Sequence, residues 1–275
     1  MKIGLKSRLA SFIFIASFVF SAGTASSTPA NAKKPSAGQD LTAGKSASGK
    51  VVFDLSHSEI FSPVKKGPLH YTQFYDNIRK SGSEVSLNKK PITPKALERV
   101  KTYIIAGPAQ PITKDEIETL RNFVNNGGNL LLLLHISGPV APLSVEFGIV
   151  VSNFVISDVA GNINNKSQDF YVTSFARHPV TAGLNKIAVY GTWGLMAEVN
   201  AEVLAGTSDK AWADMNRNRE FDKDEPTQSF GVIAANEYGK GKVVVVADDA
   251  PFANQFIGEA DNKKLADNII RWFKE

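Results

Sequence analysis

Five consecutive leucines, Leu130 to Leu134, follow directly on Gly127-Gly128-Asn129. A strand that is apolar at every position has no face to give to water, so it must be covered on both sides, as in a mostly parallel sheet with helices on each face. The residues before it fit that demand. Thr102 to Ala106 reads as a second buried strand, and Thr113 caps a helix running to Asn125, with Glu116 three residues on completing a capping box and the glycine pair ending it. Further upstream, Val51-Val52-Phe53 predicts a strand and Glu84 to Leu87 a short one. Between them His70 to Lys80 carries Tyr71, Phe74, Tyr75 and Ile78 at helical spacing. This is βαβ grammar. Downstream, strands are predicted at Ile149 to Ile156, Ile187 to Tyr190, Glu202 to Ala205, Gly231 to Ala235 and Val243 to Ala247, with few helices between. An amphipathic helix is predicted from Asn262 to Phe273. The expected fold class is therefore α/β, a mostly parallel sheet with helices on both faces and an antiparallel extension.

The start of the chain reads differently. Lys2, Lys6 and Arg8 precede the apolar run Leu9 to Phe20, and small residues lead to Ala30-Asn31-Ala32, a pattern that predicts a secretory signal peptide over 1–32 cleaved after Ala32, with a second cut site after Ala25. The run is shorter than the roughly 20 residues a spanning helix needs, so no membrane span is expected after cleavage. Residues 33–49 are small and polar and read as a flexible linker. The whole chain has 31 basic and 27 acidic residues and a pI near 9.1. Removing Lys2, Lys6 and Arg8 with no acidic residue leaves 28 against 27, so the basic balance does not argue for a nucleic-acid partner. The absence of cysteine excludes disulfides, thiolate metal sites and cysteine nucleophiles.

The block YIIAGPAQPITKDEIETLRNFVNNGGNLLLLL from Tyr103 to Leu134 resembles the central unit of the class I glutamine-amidotransferase-like superfamily. The likeness is to its noncatalytic branches: trehalose-utilisation ThuA-like proteins, gliding-motility GldG-like domains and secreted proteins of the domain of unknown function 4350. DLSH at Asp54 to His57, HPVTAG at His178 to Gly183 and YGKGKVVVVADDAPFANQF at Tyr238 to Phe256 are similar to that group in the same order. The resemblance implies a flavodoxin-like sheet over residues 50–275. It does not imply amidotransferase chemistry, whose nucleophile is a cysteine this chain lacks. Ser137, in His135-Ile136-Ser137-Gly138, does not stand in a G-x-S-x-G elbow and reads as a loop serine.

In open α/β sheets ligands bind outside the carboxyl ends of the strands. Asp54 and His57 follow the first strand, His135 the leucine strand, and Asp248 and Asp249 the strand from Val243. Were they to converge, His57, His135, Asp248 and Asp249 could serve as acid, base or metal ligands, and Asp54, His57, His135 and Asp248 as a ligand-binding set. The alternative is that the aspartates cap loops and the histidines hydrogen-bond within the edge of the core. His178 and His70 read as turn and helix-start residues. Trp193, Trp212 and Phe221 read either as core aromatics or as stacking surfaces for a carbohydrate.

Asp214 to Glu225, DMNRNREFDKDE, has the ligand spacing of an EF-hand calcium loop. Asp214, Asn216, Asn218, Glu220, Asp222 and Glu225 fall at positions one, three, five, seven, nine and twelve. The seventh contributes a backbone carbonyl and the last Glu closes the site bidentately. Arg219 departs from the pattern at the sixth position, where glycine usually makes the turn. The expected protein is thus a secreted, calcium-stabilised, noncatalytic binding or scaffold module of the cell envelope that recognises a polar ligand such as a saccharide. The alternative is an extracellular hydrolase built on the His and Asp residues at the strand ends.

Overall fold

The structure, a computed structural model, describes residues 49–275 apart from Val199. The expected signal peptide and nearly all of the expected linker lie outside the described residues. The first elements alternate as the leucine run requires: β1 (Lys50–Asp54), α1 (Thr72–Lys80), β2 (Val85–Asn88), β3 (Val100–Ala106), α2 (Lys114–Asn125) and β4 (Asn129–Leu133). A short α3 (Ala141–Val145) precedes a region dominated by strands: β5 (Ile149–Ser157), β6 (Asn162–Ile163), β7 (Lys166–Val172), β8 (Ser174–Phe175), β9 (Ile187–Tyr190), β10 (Trp193–Ala197), β11 (Ala201–Gly206), β12 (Trp212–Asp214), β13 (Gly231–Tyr238) and β14 (Gly241–Val246). The last element is α4 (Asn262–Trp272).

One half of the main sheet runs β2-β1-β3-β4-β14, with every neighbouring pair parallel. Numbered along the chain these five strands have the order 2-1-3-4-5, which is the flavodoxin-like arrangement, with its topological switch point between β1 and β3. β4 sits inside this half and shows why the leucines are continuous. Leu131 and Leu133 enter one core with Phe74, Ile78, Leu265 and Ile269 of α1 and α4, while Leu130 and Leu132 enter the other with Leu120 and Val124 of α2. β14 divides its valines the same way.

The helix that leads into β4 begins and ends as its residues dictate. Thr113 accepts a hydrogen bond from the Glu116 amide, Glu116 reaches back to the Thr113 amide, and the capping box is complete. At the other end the Gly128 amide bonds the Phe123 carbonyl at 3.0 Å and the Gly127 amide the Val124 carbonyl at 2.9 Å, the paired bonds of a Schellman turn. Gly127 has φ +103°, and a Cβ on Gly128 would stand 2.3 Å from the Phe123 ring.

The other half is antiparallel. β13 leads into β14 through a turn at Gly239-Lys240 too short for any parallel connection, and β13 also pairs with β10 and β11. Beyond β10 lie β5 and then β12, while β6, β7 and β9 form a separate three-stranded antiparallel sheet. The sequence reading missed β7 (KSQDFYV), in which only Phe170 and Val172 are fully buried, and β10, which contains Gly194. Among the described residues no helix is long and apolar enough to cross a membrane.

Candidate functional site

The polar residues at the carboxyl ends of the parallel strands form two groups. The first is at the switch point. Asp54 ends β1, and the bend after it brings the His57 ring back over it, so that His57 Nδ1 donates to Asp54 Oδ2 at 2.5 Å. His57 Nε2 donates to Glu116 Oε2 at 3.2 Å, from the first turn of α2. Asp54 Oδ1 accepts from Ser56 Oγ at 2.7 Å and from the Tyr103 hydroxyl at 2.8 Å. Glu116 further accepts from the amides of Ile92 and Thr113 and from Thr113 Oγ1. Asp54, His57 and Glu116 are all buried, and the His57 carbonyl takes amide bonds from Ala109 and Gln110.

Charge follows from this geometry. Burial pushes the His57 imidazole down, but the hydrogen bond and charge of Asp54, reinforced by Glu116, carry its pKa up to about 9. The ring is therefore a cation near neutral pH, clamped between two carboxylates. Burial works against ionisation of Asp54, yet the bonds it receives from His57, Glu59 and Ser56 hold it below the usual carboxylate range. Glu116 is also held low: burial opposes its charge, and the bonds from Thr113 and Ile92 outweigh it. Glu59 is pushed up to about 8 by burial and by the neighbouring Asp54.

The second group lies where β4 and β14 end. His135 Nδ1 approaches Asp249 Oδ1 at 3.2 Å, and the Tyr71 hydroxyl donates to Asp249 Oδ2 at 2.5 Å. Gly107, just past β3, has φ +62°; a Cβ there would lie 2.9 Å from Asp249 Oδ2 and 3.2 Å from His135 Cβ, so only glycine leaves room for this pair. Asp248 is sealed in the interior and accepts from the Tyr190 amide at 2.5 Å and the Ala250 amide at 2.9 Å. Burial and the charge of Asp249 push it up to about 8. His135 differs from all of these, since its side chain is 41% exposed. The Phe61 ring meets it edge-on at 5.1 Å, and Trp193 Nε1 donates to its carbonyl at 3.3 Å. The hydrogen bond to Asp249 raises its pKa.

The structure thus separates the proposed acid–base set. His57 pairs with Asp54 and Glu116, His135 pairs with Asp249, and Asp248 bonds backbone amides. The sequence marks Glu116 only as a capping residue and Tyr71 only as a helix-face residue, and nothing in it marks Glu59 or Tyr103 for a role at this end. The box spacing signals the cap, but nothing local signals a partner 59 residues away. Asp54, His57 and Glu59 offer ligand atoms within 4.8 Å of one another, and both His57 ring nitrogens face carboxylates, those of Asp54 and Glu116. Ser137 is buried, and its carbonyl accepts the amides of Val140 and Ala141 in a turn. His178 caps a short 3₁₀ turn by accepting the Val180 amide and packs edge-on against Trp272. His70 accepts the Ser62 amide. Trp212 is buried, and Phe221 is 55% exposed.

The calcium-spaced loop leaves β12 at Asp214 and is closed at its base by a Trp212–Thr227 bridge and by the Ala213 amide on the Pro226 carbonyl. Arg219 takes φ +66° at the sixth position, so the left-handed turn forms without glycine. Its amide donates to Asp214 Oδ2 at 3.1 Å.

Comparison with known proteins then decides the family. Residues 65–270 match the family described as Domain of unknown function (DUF4350). The chain belongs to this family. Among curated proteins, this DUF4350 chain is 21% identical over 247 residues to the intraflagellar transport protein 52 homolog of Mus musculus and 23% identical over 247 residues to that of Homo sapiens. These alignments cover 80% of the chain but 56% and 54% of the relatives, so the chain spans about half their length. Among solved structures, the mmIFT52 N-terminal domain superposes with TM-score 0.67 at 20% identity, covering 82% of this chain and 97% of that one. A cytoplasmic protein of Salmonella typhimurium LT2 gives TM-score 0.53 at 15% identity, over 82% of this chain and 100% of that one. At these identities the likeness is one of fold. The expectation of a secreted or extracytoplasmic protein is corrected by the same comparison, because the curated relatives it matches are named as intraflagellar transport proteins.

Proposed function

We propose that this DUF4350 protein is a noncatalytic binding module that takes a polar ligand, of the saccharide class, at the His135 edge of the carboxyl-end crevice. The observation that carries the reading is that the polar residues there are already spent on one another. His57 has both ring nitrogens on carboxylates, and Asp248 has both oxygens on amides. His135 alone of the four proposed catalytic residues keeps an open face, beside Phe61 and Trp193. An imidazole–carboxylate pair edged by aromatic rings suits a ligand with hydroxyls on its rim and C–H bonds on its faces.

The hydrolase alternative needs an acid and a base flanking one reacting bond, and of the four candidate residues only His135 keeps an open face. The relatives' naming as transport proteins supports a binding role over turnover. Calorimetric titration of the purified protein with a panel of saccharides, on wild type and His135→Ala, tests the proposal. Binding that His135→Ala abolishes supports it. No heat from any saccharide at millimolar concentration, or binding indifferent to the substitution, overturns it.

A further inference from the structure

The loop on the antiparallel edge carries an independent inference. Its first and last ligand positions, Asp214 and Glu225, are buried, at 1% and 8% exposure, while the residues between them are exposed. The two stand side by side because the chain re-pairs just outside them, through the Trp212–Thr227 bridge. Glu225 Oε1 accepts the Met215 amide at 2.8 Å and Oε2 the Asp222 amide at 3.2 Å, which pins the closing carboxylate across the loop.

Asp214 Oδ2 is satisfied by the Arg219 amide and by Gln168 Nε2 at 2.9 Å. Its other oxygen, Oδ1, is buried and has no hydrogen-bond partner. A carboxylate oxygen withdrawn from water with nothing to replace it is costly, and a cation is the partner that removes the cost. The other carboxylates of the loop likewise meet no cationic side chain. Asp222 Oδ2 is met by two neutral amides, Asn216 Nδ2 at 2.6 Å and Asn218 Nδ2 at 2.8 Å. Among the described residues no ion pair involves Asp214, Glu220, Asp222 or Glu225, although Arg217, Arg219 and Lys223 belong to the same loop.

We propose that residues 214–225 bind one calcium ion through Asp214, Asn216, Asn218, the backbone carbonyl of Glu220, Asp222 and Glu225, and that the ion clamps the loop onto the end of β12. All six donor positions are oxygens, and the loop ends in a glutamate able to bind through both oxygens. That combination serves calcium, which takes six to eight oxygen ligands, better than magnesium, which holds to a strict octahedron and keeps its waters. The ion binds the native state only and so raises stability by mass action. The site shares no residue with the His135 edge, so each proposal stands or falls alone.

The test uses the full chain. Terbium alone is titrated in, with luminescence excited through Trp212, whose ring lies 5.7 Å from that of Phe221 in the loop. Calcium then displaces it, and melting temperatures are read in calcium, in magnesium and in chelator. The expected result is a calcium-displaceable terbium signal and a melting temperature several degrees higher in 10 mM calcium than in chelator, with magnesium ineffective. Asp214→Asn and Glu225→Gln should each weaken terbium binding at least tenfold while Asp224→Asn leaves it intact. Identical wild-type melting in calcium and chelator overturns the proposal, whether or not the variants fold. So does a terbium signal that survives both substitutions in folded protein.

Discussion

His57 is the residue on which the reading of this molecule turns. A buried imidazolium between two buried carboxylates holds β1, the loop after it and the start of α2 together. Removing one member of such a network leaves its partners charged and unpaired, which costs about 3–5 kcal/mol. His57→Ala is therefore expected to lower stability by about that much in urea unfolding. His135→Ala, whose side chain is 41% exposed, should cost less than about 1 kcal/mol. Equal losses would contradict the distinction between the two histidines. The pH dependence has a definite sign. His57 is raised from 6.5 to about 9, so its contribution is complete below pH 6.5 and lost as the pH climbs through about 9. Glu59 and Asp248, raised from 4.5 and 3.8 to about 8, keep protons in the fold that the unfolded chain has released, and they add a loss of the same direction up to about pH 8. Asp54 and Glu116 are lowered, so their contribution is present above their ordinary values and lost only in stronger acid. His57, Glu59 and Asp248 should therefore make the melting temperature fall as the pH rises above about 4.5, most steeply between about pH 6.5 and 8 and on to about 9, and His57→Gln should flatten the fall between about pH 6.5 and 9. A wild-type melting temperature that rises over the same interval would contradict this.

Among the elements, α2 joins fold to site. Its capping threonine does more than cap, because Thr113 Oγ1 donates at 2.7 Å to the same Glu116 oxygen that holds His57. Thr113→Ala should cost more than the roughly 1 kcal/mol of an ordinary cap, and in a double-mutant cycle with His57→Ala the losses should fall short of additive. Strict additivity would mean that the cap and the histidine clamp are separate devices. This element also shows where the sequence was legible. Thr113, Glu116 and the glycine pair signal the helix ends because caps are local, three or four residues across. The leucines of β4 signal a two-sided sheet because burial on both faces leaves no polar position. The second role of Glu116 was hidden, since it depends on a tertiary meeting with residue 57. β7 and β10 were hidden as well. Half-buried strands with polar residues or a glycine keep no clean alternation, and their pairing partners on both sides decide them.

At the scale of the whole molecule, the 2-1-3-4-5 parallel half has its switch point between β1 and β3, and the chain occupies that point with its own ion network. The sequence correctly placed the five polar positions at the strand ends but could not show that they fall into two self-satisfied groups, because convergence is a property of the sheet. The same sheet is shared with proteins of differing descriptions, so the site, and not the fold, must carry the functional argument. That argument is tested most directly by incubating the purified protein with a panel of saccharides and hydrolase substrates and following both binding and product by mass spectrometry, for wild type, His57→Gln and His135→Ala. The account expects a saccharide that binds and is recovered unchanged, with binding lost in His135→Ala and kept in His57→Gln. Product formation by the wild type that either substitution abolishes, in protein that remains folded, would contradict it.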